Sequence, residues 1–271
     1  MDVDKNMIVL QKCSHNNVDF EVLAYDKLRG AQSVNMAQSM FFAEQTGLKV
    51  KQVRITLNNS SIKTEAGALY YSKGKIESKT KSGGATGLFK KAVSGALTNE
   101  SAIKPTYTGS GEIYLEPSFK HYLVLELDND SLIVDKGLFF CCSAEIDIKV
   151  ATQKNVSSAL LGGEGVFQIE LRGTGVVILE LDVPESEIVS YELTNGEELK
   201  VDGNFAIART SGVSFSVTKS DKSLLGSAIN GEGFLNAFKG EGTVWLAPTA
   251  PMYKRLYTGI SFGNSSINNQ E

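Results

Sequence analysis

Lys73, Lys75, Lys79 and Lys81 stand two or four residues apart in the stretch KGKIESKTK. An extended chain turns alternate side chains to one side, so all four ammonium groups would share a face. Lys90 and Lys91 follow, and Tyr70 and Tyr71 come just before. Lysines in a row beside aromatic rings are the parts of a polyanion- or RNA-binding surface, with lysines on phosphates and rings stacked on bases. The same row is also how an edge strand stays unpaired, and the sequence favours that plainer reading. The basic character is local. Lys49 to Lys91 holds ten basic residues and two acids, on a chain whose net charge is -4.

Glu100, Glu164 and Glu232 each stand beside a small residue, in NESAI, GEGVF and GEGFL, at spacings of 64 and 68 residues. Arranged about a pseudo-threefold axis they would form a carboxylate ring able to take a cation or a basic partner. The local alternative is that each satisfies backbone donors in its own turn. That alternative is preferred, because crowded acids repel and turn acids need no partner.

The remaining reactive residues form no recognisable constellation. His15 and His121 are the only histidines, and no Gly-x-Ser-x-Gly elbow accompanies either. Cys13, Cys141 and Cys142 are odd in number with two adjacent, which suits neither a disulfide framework nor zinc spacing. Cys141 and Cys142 follow GLFF in a strand-like run, so at least one is expected in the core. These thiols point to a reducing compartment, and we expect a cytoplasmic protein. LDNDS lacks the glycine and distal glutamate of a calcium loop and reads as a polar turn. The sequence assigns no catalytic residue, no metal ligand and no cofactor.

The elements that position these groups come from a repeat. YTGSGEIYLEP, LRGTGVVILEL and FKGEGTVWLAP each run from a Gly-x-Gly turn into an alternating strand. Their second glycines, Gly111, Gly175 and Gly242, are 64 and 67 residues apart. Gly74, Gly137 and Gly203 serve as a second marker, at 63 and 66. A dinucleotide loop would need a third glycine and a following helix. Here a strand follows, so the turn is structural. The period divides the chain into an N-terminal segment with a first β unit (1–117), a second (118–181), a third (182–248) and a C-terminal extension (249–271). Helix is expected at Gly87 to Ser101 and, more weakly, at Val34 to Gln45, where Met36, Met40 and Phe41 read as core packing. Trp245, alternating with Val244 and Leu246, is expected to be buried. The start, MDVDKNMIVLQK, shows no secretory signal pattern, and no apolar run approaches 18 residues.

TEAGALYYSKGKI, KNVSSALLGGEGVFQIELRGTGVV and KSLLGSAINGEGFLNAFKGEGTVWLAP together resemble the AIM24 family (altered inheritance of mitochondria protein 24), from about Val50 to Pro248. The resemblance implies an all-β fold. Three β-sandwich units, each like the tryptophan RNA-binding attenuation protein (a short double-stranded β-helix), would pack as a pseudo-trimer in one chain. It implies no catalytic residues. Mitochondrial members are associated with inner-membrane organisation, but no transit peptide is evident here.

The expectation is therefore a non-enzymatic binding or scaffold protein whose partner is another protein. The alternative is polyanion or RNA binding through the lysine-rich first unit. No transmembrane segment is expected; peripheral membrane association and oligomeric state stay open.

Overall fold

Asn16 and Asn17 adopt left-handed φ angles of 44° and 62°. They turn β1 (Met7–His15) into β2 (Val18–Tyr25), with His15 paired to Val18. A two-residue loop with both residues at positive φ matches the twist of an antiparallel hairpin, and asparagine tolerates it. The structure is a computed structural model and describes residues 5–79, 104–151, 168–203, 205–219 and 234–258. The chain forms two compact units, Met1–Leu181 and Asp182–Glu271. Both are built from antiparallel strands, so the protein is all-β.

In the first unit α1 (Val34–Gln45) precedes β3 (Lys51–Thr64), β4 (Leu69–Lys79), β5 (Thr106–Leu115), β6 (His121–Asp135), β7 (Phe139–Ser143), β8 (Asp147–Val150) and β9 (Gln168–Leu181). β2 pairs with β3, and β3 with both β5 and β7. β4 pairs with β5, β6 with β9, and β7 and β8 with the opposite side of β9. Phe20, Ile55, Ile62, Ile113, Phe140 and Ile178 belong to one buried apolar cluster.

The second unit contains β10 (Val189–Leu193), β11 (Glu198–Val201), β12 (Ala206–Thr210), β13 (Val213–Lys219), β14 (Phe234–Gly240), β15 (Gly242–Leu246) and a terminal α2 (Ala250–Thr258). β15 lies between β10 and β12, and β14 between β11 and β13. Leu193, Val201, Val213, Phe238, Val244 and Leu246 form its core.

The first two Gly-x-Gly segments each cross a bulged partner strand, and the third joins two strands, β14 and β15. Gly111 faces Leu57 and Gly109 faces Ser60 on β3, with Asn59 bulged between them at φ 50°. Gly175 faces Leu127 and Gly173 faces Asp130 on β6, with Asn129 bulged at φ 52°. Gly242 faces Leu193 and Lys239 faces Glu198, with Asn195 at φ 54° in the link between β10 and β11. The bulged amides of Asn59 and Asn129 donate to Ser110 Oγ and Thr174 Oγ1, the middle residues of the facing Gly-x-Gly, at 2.8 and 2.9 Å. These segments are set in paired strands and present no loop to a phosphate.

Four expectations are corrected. Gly74 is not the counterpart of Gly137 and Gly203. It lies inside β4 against Gly111, where a Cβ would come 2.6 Å from the Ser110 carbonyl oxygen. Gly67, at φ 80° in the turn between β3 and β4, holds the place that Gly137 holds between β6 and β7 and Gly203 between β11 and β12. LDNDS is a bulge inside β6 rather than a turn. α1 spans the expected residues but buries none of them, because its apolar side chains are scattered around the axis instead of gathered in a stripe. Trp245 is half-buried: Val244 and Leu246 take the core face of β15, which leaves the indole on the other. The helix expected at 87–101 lies outside the described residues.

Candidate functional site

The outer face of the β2–β3–β5–β4 sheet is polar, and its register sets out the side chains in rows. Glu21, Arg54, Tyr114 and Tyr71 form one row. Arg54 Nε donates to Glu21 Oε2 at 2.7 Å, and Lys12 on β1 reaches Glu21 at 3.7 Å and Asp19 at 3.3 Å. This end of the sheet is thus charge-balanced. Tyr71 lies flat on Tyr114, with ring centroids 4.4 Å apart and planes 15° from parallel. Tyr70, displaced by a register shift in β4, packs 5.7 Å from Tyr71 and is exposed.

Lys73, Lys75 and Lys79 continue the Tyr71 side of β4, opposite Glu112, Ser110 and Thr106. Ile76, on the other side, packs against the core. All three lysines are exposed, as the alternation predicted. Two acids break the row. Glu77 stands between Lys75 and Lys79 on the same face, and Glu112 lies 3.9 Å from Lys73. Among the described residues β4 pairs with β5 alone, and no described strand lies along its other side. Lys81, Lys90, Lys91, Glu100, Glu164 and Glu232 lie outside the described residues.

Beyond the tyrosines is a cavity of about 280 Å³ that the sequence did not disclose. Tyr25, Leu28, Met36, Met40, Leu48 and Phe119 supply its apolar wall. Lys27 pairs with Glu44, and Lys49 with Asp26 at 3.1 Å, within the same lining. The expectation that Met36, Met40 and Phe41 pack in the core is therefore overturned. Met36 and Met40 line this hollow, while Phe41 and Phe42 are 58% and 65% exposed. α1 is anchored locally instead: Ser33 Oγ accepts from the Met36 amide at 3.2 Å and caps its first turn. Phe41, Phe42, Met36 and Val34 spread around the helix axis rather than along one stripe. Tyr25 joins the cavity to the tyrosines. Burial raises its pKa most, followed by the neighbouring Tyr70 and Tyr114.

The cysteines are packed into the fold. Cys141 and Cys142 are both fully buried, since β7 is flanked by β3 and β9 and covered on both faces. Burial pushes Cys142 up to about 12 and Cys141 well above its ordinary value. Burial, then a hydrogen bond with Glu126, raises Cys13 to about 11. Such thiols stay protonated and unreactive near neutrality. A thiol-reactive dye should therefore modify Cys13 alone, and slowly, in the native protein; rapid native labelling of two thiols would contradict this packing. His15 and His121 are half-buried at strand ends. Among the described residues no three His, Cys, Asp or Glu side chains are grouped to hold a metal ion, and no helix is long and apolar enough to cross a membrane.

The family described as mitochondrial biogenesis AIM24 matches residues 43–249. No curated protein matches the chain. Among solved structures, a Streptococcus pyogenes protein determined by X-ray crystallography is similar, with a TM-score of 0.56 and 21% identity, covering 76% of this chain and 94% of that one. At that identity the likeness concerns the fold. The match over most of the chain shows that this protein belongs to the AIM24 family.

Proposed function

We propose that this member of the AIM24 family is a non-enzymatic binding and scaffold protein whose partner is another protein. The exposed apolar surface around α1 carries this reading. Val34, Met36, Phe41 and Phe42 on the helix, with Leu28, Leu48 and Phe119 beside it, are all exposed large hydrophobic residues. Scattered single residues of this kind are ordinary, but a group around one helix marks an interaction site. Each phenylalanine covered by a partner would contribute about 2 kcal/mol. The thiols suit a reducing compartment such as the cytoplasm. The three Gly-x-Gly strand sets support a threefold scaffold.

A photo-crosslinking amino acid placed at Phe41 in cells should trap a discrete protein. The same group at Asp128, an exposed bulge position on β6, should not. Phe41→Ser/Phe42→Ser should leave the unfolding midpoint within about 2 °C, because the exposed rings contribute little to stability. Equal trapping from positions 41 and 128 would count against the reading.

The second reading, polyanion or RNA binding, has the lysine row in its favour. Glu77 and Glu112 weaken it, since they place carboxylates along the path a phosphate backbone would follow.

A further inference from the structure

We propose that the partner docks as an extended acidic peptide segment, paired as an additional strand along the side of β4 away from β5, with an apolar side chain anchored in the α1 cavity. This inference rests on the scaffold reading and names the chemistry of its partner.

Three observations meet at this place. The first is the edge. β4 is 11 residues long, and its interior from Tyr70 to Lys75 and from Glu77 to Lys79 is exposed. Among the described residues only β5 pairs with it. An open edge offers amides and carbonyls that a second extended chain can satisfy, and alternate side chains then set specificity. From Tyr71 to Lys79 the edge runs roughly 27 Å at strand rise.

The second observation is charge. The outer face of β4 reads Tyr71, Lys73, Lys75, Glu77, Lys79. Lys73 has its side chain 82% exposed and only a distant Glu112. Lys75 and Lys79 make no ion pair with another described residue. An incoming strand places its own alternate side chains beside these, about 5 Å away. The complementary order is an acid beside Lys73, an acid beside Lys75, a base beside Glu77 and an acid beside Lys79. A nucleic acid cannot vary its charge in this way, and it lacks backbone amides for the edge. A peptide does both.

The third observation is continuity. Tyr70 and Tyr71 lie at the start of β4, and Tyr25, close to Tyr70, lines the cavity. The hollow therefore lies at the same end of the sheet as the start of β4, with β5 and β3 between them, and a peptide leaving the edge past Tyr70 reaches it by crossing that end. At about 280 Å³ the hollow is just below the range of about 300–1,000 Å³ usual for whole small-molecule ligands. It suits one anchoring side chain, such as phenylalanine or leucine.

The test uses fluorescence anisotropy on the full chain with labelled synthetic peptides. Each has a phenylalanine at one end, then acid, acid, lysine and acid at alternate positions, with threonine between. Both chain directions are made. One direction should bind, and a peptide of the same composition with its acids adjacent should bind about tenfold more weakly. N-methylation at the residues between the charged ones keeps the charges but removes edge hydrogen bonds, and it should weaken binding by about tenfold or more. K73E/K75E/K79E should lose about tenfold with an unchanged unfolding midpoint, and a peptide with lysines in place of its acids should recover it. Equal binding of the N-methylated peptide would overturn strand addition. Displacement of the peptide by single-stranded RNA at lower concentration, with steep salt dependence, would overturn the peptide in favour of a polyanion. If neither direction binds while the crosslink from position 41 persists, this inference fails and the scaffold reading stands. If that crosslink is absent as well, both fail.

Discussion

Gly109→Ala should lower the unfolding free energy by about 3 kcal/mol or more, while Gly137→Ala changes it by less than about 0.5 kcal/mol. Gly109 has φ 142°, and a Cβ built there would lie 1.9 Å from the Lys75 carbonyl oxygen. The neighbouring crossing is similar: a Cβ on Gly111 would lie 2.1 Å from the Lys73 carbonyl oxygen. Both obstacles are backbone atoms of β4, so no side chain can swing aside. Alanine at 109 must push β4 away from β5 or shift β5 itself, and β5 carries Ile113 and Leu115 into the core. Gly137 has open space around it and an ordinary φ. Near the midpoint, 1 kcal/mol corresponds to about 2–4 °C in a domain of this size, so a fall of about 6–12 °C is expected for Gly109→Ala. Thermal unfolding followed by circular dichroism measures it, and a midpoint within about 2 °C of wild type would show that the crossing is looser than described. The same variant should lose acidic-peptide binding, because the edge it needs is carried by β4.

This sensitivity explains why so much of the fold is legible in the chain. Gly109, Gly111, Gly173, Gly175, Gly240 and Gly242 all have positive φ, and a requirement that only glycine meets leaves a fixed mark in the sequence. The facing bulge left a mark too, in Asn59 and Asn129, and Asn195 takes the same φ in a turn; because asparagine serves in both places, LDNDS reads equally well as a turn. Gly74 misleads for a related reason. Glycine is required both in turns and where backbones touch, and spacing alone does not separate the two uses. Much less of the candidate site is legible. Period two puts Lys73, Lys75 and Lys79 on one face correctly, because alternation is local geometry. The exposure of Phe41 and Phe42 depends on what else covers α1, which no local pattern records. The cavity forms only where α1, the end of β2 and Phe119 come together.

Alkaline solution should weaken the fold more than its carboxylates or lysines alone would suggest. The cause is the pair of buried thiols on β7. Their folded-state pKa values are raised, Cys142 to about 12 and Cys141 well above the ordinary value of 9.0, in both cases first by burial. Below about pH 9 the folded and unfolded chains both keep these protons, so the thiols leave stability unchanged with pH. Above it the unfolded chain releases them and the folded chain does not. The unfolded state then binds fewer protons, and stability falls as pH rises. The slope rises toward about 1.4 kcal/mol per pH unit for each thiol, so two of them remove about 4 kcal/mol between pH 8 and 10.5. Tyr122, whose pKa burial also raises, begins to contribute near the top of that window. Urea unfolding at pH 8 and pH 10.5 separates these contributions when wild type is compared with Cys141→Ala/Cys142→Ala. The variant is less stable at pH 8, because it leaves small cavities in β7. Its further loss on going to pH 10.5 should nevertheless be smaller than wild type's by about 4 kcal/mol. Equal losses in the two proteins would mean that the thiols ionise inside the fold, which requires water or a cation beside β7 and would reopen the case for a reactive cysteine.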